Sequence, residues 1–337
     1  MNKLTKDKII SIWLYSGLIM VLSMVIIGGI TRVTGSGLSM IEWDFFGRFF
    51  SENDIQKSFI EWKENEQNNR SIEYRTQLNY EDYKSIYFWE NFHRQTGRFI
   101  GILFILPFLF FLIKKWISSK QIKKYLILLC LGALQAVYGY FMVKSGLKDN
   151  PKVSHYWLSI HFISALSLAS YIWWMILEFR NKIQHNKAVY KISTIFLLLL
   201  IIQLIYGAFA AGLEAGKYTN FSSYLSRIFA YSHPETSLNF IDDPRNIINI
   251  HRYLGFILLI FSIYFWRKTR NTLFKKEVNI LMVMVIFQII FGSIYLLIVN
   301  KGGQIIELRN WIAIMHQFLA SLITLVTVYI IHQSRPT

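Results

Sequence analysis

Four histidines stand in or at the edge of long apolar runs: His93, His161, His251 and His316. Two of them belong to one phrase, N-x-H-R-x-x-G, written at 91–97 and again at 249–255. The other two follow at matching intervals, 68 residues after His93 and 65 after His251. A polar side chain at membrane depth is costly and normally faces a bundle interior or a pathway. One such histidine is more often a hydrogen-bonded interior residue, but four matched two by two point to ligands. Two imidazoles on facing helices, with an apolar slot between them, suit a flat metal macrocycle gripped from both sides, as in bis-imidazole haem. Zinc and copper also accept imidazole. Neither pair has a carboxylate or thiol that completes a tetrahedral set, so haem is the preferred reading.

Arginines accompany the histidines. Arg94 and Arg252 follow His93 and His251 directly, and Arg98 lies one helical turn beyond Arg94. Guanidinium forks bind carboxylates bidentately, and haem carries two propionates; the competing role is snorkelling toward outer head groups. The two halves differ at one position. Glu90 stands three residues before His93, whereas Ile248 stands three before His251. Residues i and i+3 share a helix face, so Glu90 overhangs whatever His93 binds, where a carboxylate can take up and pass protons. Its alternative role is a helix-start acid favoured by the dipole. His155 and His332 at helix ends, His185 in a short loop and His233 in a long one are expected to be solvated or interfacial. Cys130, the single cysteine, cannot form an intramolecular disulfide and reads as helix packing.

The elements that position these residues are membrane helices. Of 337 residues, 53% are hydrophobic, and eight runs are apolar over a length that spans a bilayer: about 10–30, 92–113, 125–143, 155–177, 193–212, 247–266, 279–299 and 311–331. Helices satisfy every backbone group within such a run. The first run is too long for a signal peptide and no A-x-A site follows it, so it reads as a retained helix. The short loops 114–124, 178–192 and 267–278 hold five, four and five Lys+Arg, and the N-terminus holds three. Both termini are therefore expected to be cytoplasmic, with the long loops 31–91 and 213–246 outside and the histidines toward the outer face. The net charge of +16 reflects this topology. Dispersed over short turns, it forms no groove for nucleic acid, and no P-loop or dinucleotide fingerprint is present. The outer loop 31–91, with helical stretches at 54–66 and 80–92, is expected to fold over the membrane surface.

The chain also repeats itself. Gln135–Gly139, Gln203–Gly207 and Gln288–Gly292 all read Q-x-x-aromatic-G. With the two N-x-H-R-x-x-G phrases, which are expected to begin the second and sixth helices, they mark a four-helix unit duplicated in tandem. The expected fold is an all-α integral membrane protein of eight transmembrane helices. They form two pseudo-two-fold-related four-helix bundles, 1–185 and 186–337, whose axis stands along the membrane normal. Glycine lets helices approach and glutamine bonds across interfaces, so the Q-x-x-x-G motif itself reads as packing.

GGITRVTGSGLSMIEW, FWENFHRQTGRFIG, GALQAVYGYFMVKSGL, AGLEAG and IHRYLGF, in that order over residues 10 to 331, resemble the haem A synthase family of respiratory chains. The resemblance implies oxidation of a peripheral methyl of haem O to the formyl of haem A, with His93 and His161 flanking haem O. It further implies that Glu90 is essential for turnover, and that His251 and His316 ligate a resident haem b through which electrons pass. A non-enzymatic carrier with haem b in both halves is the alternative. Expected partners are membrane lipid, a haem O synthase and a quinone or other electron acceptor, in a homo-oligomer of a bacterial inner membrane. Some family members carry a cysteine pair in the outer loops, which this chain lacks. The family's Asn-Thr-Trp-Pro after AGLEAG is here replaced by Lys217-Tyr-Thr-Asn, and its Lys-Pro after Trp43 by Asp44-Phe45.

Overall fold

A computed structural model describes residues 2–42, 50–64, 78–146, 152–179, 183–218, 239–299, 301 and 305–336. Asp44, Phe45 and His233 lie outside them. Among the described residues the protein is all-helical, with eight helices long and apolar enough to cross a membrane. It is an integral membrane protein. The chain divides into two compact units, Met1–Phe179 and Arg180–Thr337.

In the first unit the spans are α1 (Lys3–Val33), α3 (Tyr80–Ile113), α4 (Ser119–Gly146) and α5 (His155–Glu178), with the short amphipathic α2 (Glu52–Glu64) between α1 and α3. α1 packs against α3 and α5, and α4 against the same two, so the four spans close a ring. Asn2 caps α1 by accepting from the Thr5 amide at 2.9 Å. Past its other end, Gly35 adopts φ 69°, a left-handed conformation in which glycine carries no Cβ penalty, and a 3₁₀ turn Ser36–Leu38 follows.

Pro107 sits inside α3. Lacking an N–H, it leaves the carbonyl four residues back, that of Leu103, without its helical partner. The indole Nε1–H of Trp13 on α1 donates to that oxygen at 2.9 Å. Trp13 also packs against Phe104, Phe111 and Tyr125.

α3 begins earlier than its apolar run. Asn79 accepts from the Asp82 amide, and Glu81 and Asp82 in the first turn complement the dipole. His93 therefore lies thirteen residues inside α3 rather than at its start. The added turns carry Tyr83, Ile86 and Tyr87, which bury Met40 from the loop and Ile55 and Trp62 from α2.

The second unit has α6 (Lys187–Gly212), α7 (Pro244–Thr269), α8 (Lys275–Ile298) and α9 (Ile305–Ser334). α6 packs on α7 and α9, and α8 on the same two. Asp243 caps α7 and Pro244 occupies its first turn, so here the N-x-H-R-x-x-G phrase does lie near the helix start. The segment before α6 lies along the end of α9: the amides of Gln184 and Asn186 donate to the carbonyls of Gln333 and Ser334. These are the terminal acceptors a helix cannot satisfy itself.

Outward faces are apolar. Ile102, Leu106 and Ile113 on α3 and Ile260 on α7 are more than half exposed, as befits side chains that meet hydrocarbon.

Candidate functional site

His251 on α7 and His316 on α9 face each other, ring centroids 6.2 Å apart and planes inclined by 75°. Two metal–imidazole bonds of about 2 Å each, with half a ring at either end, add to about 6 Å, so one metal ion fits between them. Each ring is seated on a glycine of a neighbouring helix. A Cβ added to Gly207 on α6 would lie 2.9 Å from Cε1 of His251, and one added to Gly292 on α8 would lie 3.1 Å from Cε1 of His316. The cradle therefore admits an imidazole only where the opposing residue lacks a side chain.

The orientation of His251 is set by Nδ1, which stands 3.3 Å from the Gln203 carbonyl. A carbonyl only accepts, so Nδ1 carries the proton and the Nε2 lone pair is left for a metal. Gln288 Nε2 donates to the main-chain carbonyl of His316 at 3.0 Å. Nδ1 of His316 is buried without a partner in the protein, the state of a polar atom that awaits something from outside.

The first unit has the same parts. Nε2 of His93 on α3 would lie 3.4 Å from a Cβ on Gly28 of α1, and Cε1 of His161 on α5 would lie 3.5 Å from one on Gly139 of α4. The two imidazoles are within electrostatic reach of each other, and Nδ1 of His161 is buried without a protein partner. Among the described residues no three His, Cys, Asp or Glu side chains converge. Donors come in imidazole pairs, which fit an iron porphyrin better than a tetrahedral metal.

Glu90 is buried and fully engaged. Its Oε2 accepts from the Ser39 amide (2.6 Å), the Ser39 hydroxyl (2.7 Å) and the Met40 amide (2.9 Å), and its Oε1 accepts from Arg94 Nη2 at 2.5 Å. Arg94 also donates to the carbonyls of Met40 (Nη2) and Glu42 (Nη1). The pair thus staples the outer loop to α3 beside His93, and the terminal nitrogens of Arg94 are committed within the protein. Arg98 Nη1 is shut off from solvent. Arg252 Nη1 donates to Asn249 at 3.3 Å.

His155, His332 and Cys130 depart from their expected settings, whereas His185 is exposed as expected. His155 and His332 are buried, the first against the ring of Tyr156, tilted by 36° at 4.0 Å, and the second in the end of α9 to which the segment before α6 is hydrogen-bonded. His185 contacts the Arg335 carbonyl through Nδ1. Cys130 is exposed on the outside of α4. Sequence reasoning missed Ser39 and Met40 as partners of Glu90 and the glycines as seats for imidazoles. The recurrence of glycine in the Q-x-x-x-G motif was the available signal, but the same spacing serves ordinary helix packing.

Apolar spans with imidazoles paired between helices and seated on glycines define the molecule as a membrane-embedded helical protein. The chain belongs to the cytochrome oxidase assembly protein family, whose COX15-CtaA model matches residues 11–328. It is 35% identical over 343 residues to the heme A synthase of Flavobacterium psychrophilum, covering 97% of this chain and 98% of the relative. The corresponding values are 34% identity, 94% and 93% for the heme A synthase of a Wolbachia from Brugia malayi, and 33%, 88% and 88% for that of Nitrosospira multiformis. No solved structure matches the chain.

Proposed function

We propose that this protein is a haem A synthase, which oxidises a peripheral methyl of haem O to formyl by successive hydroxylations. The reading is carried by the opposed pair His251 and His316, 6.2 Å apart on glycine seats, together with the matching parts around His93 and His161. In this reading His93 and His161 hold the substrate haem O, and His251 and His316 hold a resident haem b. When bound, haem b would supply one-electron transfer in the second unit. Arg98 and Arg252, in the same helices as His93 and His251, stand for the propionates; Arg94 serves the loop.

Glu90 is assigned the proton traffic of methyl oxidation. Ser39 and Arg94 fix its two carboxylate oxygens, so the acid keeps one position relative to His93, three residues away. The staple also ties residues 39–42 of the loop to this side of α3. The second unit has Ile248 at the matching position, so an acid beside the histidine belongs to the first unit alone. In this reading the protein lies in a bacterial inner membrane with both termini cytoplasmic and the haem sites toward the outer face, as the basic short loops suggest.

Expression in a host that makes haem O but no haem A, followed by acid–acetone extraction, tests the reading. Haem A appears with the wild type, and H251A or H316A loses haem b. E90A breaks a buried ion pair, at a cost of about 3–5 kcal/mol, so E90Q, of equal size, accompanies it. Both should retain pigment and yield no aldehyde. Unchanged pigments with the wild type would leave the di-haem carrier, a colourless wild type would refute both readings, and haem A from E90Q would remove Glu90 from catalysis.

A further inference from the structure

Gln135 differs from its two counterparts in what its amide touches. In the second unit Gln288 Nε2 donates to the His316 carbonyl, and Gln203 lays Nε2 against Gly255. Only the Oε1 atoms of those two glutamines are buried without a partner. In the first unit both Nε2 and Oε1 of Gln135 are closed off from solvent, and neither has a protein partner. Four residues on along α4, Gly139 seats the ring of His161. Residues four apart share a helix face, so Gln135 lies one turn below that imidazole on the side that meets the same slot. A buried amide with donor and acceptor both unmet is costly and calls for a partner.

Resting on the reading of the first unit as the haem O site, we propose that Gln135 hydrogen-bonds the alcohol of haem O, the hydroxyl on the carbon that joins its isoprenoid tail to the ring. Gln135 is thereby the residue that selects haem O over haem b in that unit. A hydroxyl can accept from Nε2 or donate to Oε1. Haem b carries a vinyl group at that ring position, which can do neither and leaves the amide unmet. In the second unit the corresponding Gln288 nitrogen already serves the protein, so haem b there incurs no such penalty. The alcohol is untouched when the methyl is oxidised. The contact therefore persists from the first hydroxylation to the second and keeps the half-oxidised pigment in place.

The test is an equilibrium titration of the full-length protein in detergent, haem b loaded in the second unit, with haem O and haem b each added to the first and followed by absorption. The wild type is expected to prefer haem O on the order of ten-fold. Q135M should lose that preference, with haem b binding no more weakly than in the wild type and the bis-imidazole bands unchanged. Should Q135M fail to fold, Q135N, which withdraws the amide by one methylene, provides the same comparison. An undiminished preference in the variant overturns the role of Gln135 and leaves the haem O reading intact. If the wild type takes up no haem O while its second unit holds haem b, the reading of the first unit fails and this proposal with it.

Discussion

Gly207 and Gly292 lie so close to His251 and His316 that an added methyl would stand 2.9 Å and 3.1 Å from the rings, against 3.5 Å for Gly139 and His161. A ring at the end of a side chain can swing away from such a clash at modest cost to stability, about 1–3 kcal/mol for overpacking, but not while keeping its aim. G207A is therefore expected to fold and to lose most of the pigment of the second unit, whereas G139A keeps that of the first; pyridine haemochrome assay of the purified variants measures both. Equal retention by G207A and G139A would mean that the seats do not aim the ligands. The histidines were legible in the sequence because imidazole is rare and expensive in apolar runs. Their seats were not, since a glycine under a ring and one under a backbone have the same spacing. The contacts of Glu90 with Ser39 and Met40 span about fifty residues, and no local pattern encodes such a separation.

At the scale of elements, α2 and the first turns of α3 form the outer cover of the first unit, and one polar tie between them is exposed. Glu52 accepts from the Tyr80 hydroxyl at 2.7 Å and pairs with Lys84 at 3.3 Å. The Tyr80 hydrogen bond first, then that of Lys84, hold its carboxyl below the ordinary value of 4.5. A group depressed on folding contributes stability above its unfolded pKa and loses it as pH falls through the folded one. The tie is thus complete at neutral pH and lost in acid. Pepsin should cut within α2 more slowly in the wild type than in E52Q above the ordinary carboxyl value of 4.5, and the difference should shrink as the pH is lowered beneath it; a gap undiminished in acid would assign the protection elsewhere. α2 was visible as a helical stretch at 54–66 of the outer loop. The stretch 80–92 was visible too, but not its continuity with the span at 92–113, because hydropathy marks where lipid begins, whereas Asn79 and its acids start the helix in water.

For the whole molecule, all eight spans were readable because lipid permits few ways to satisfy a backbone. Their neighbours were not, since every face of an apolar helix is equally acceptable to hydrocarbon. Orientation is open to a direct check. In a C130A background, Q56C on α2 should react with an impermeant maleimide on intact cells, and K123C on α4 only after permeabilisation; the reverse would invert the topology. Trp13 and Pro107 carry a different implication, for biosynthesis. The first span leaves the ribosome some ninety residues ahead of the proline, yet the bare oxygen at Leu103 has no water to turn to once it enters the bilayer core. Its comfort depends on an indole that was inserted earlier and has stayed nearby, so α3 settles in hydrocarbon as the second half of a handshake that α1 had already offered.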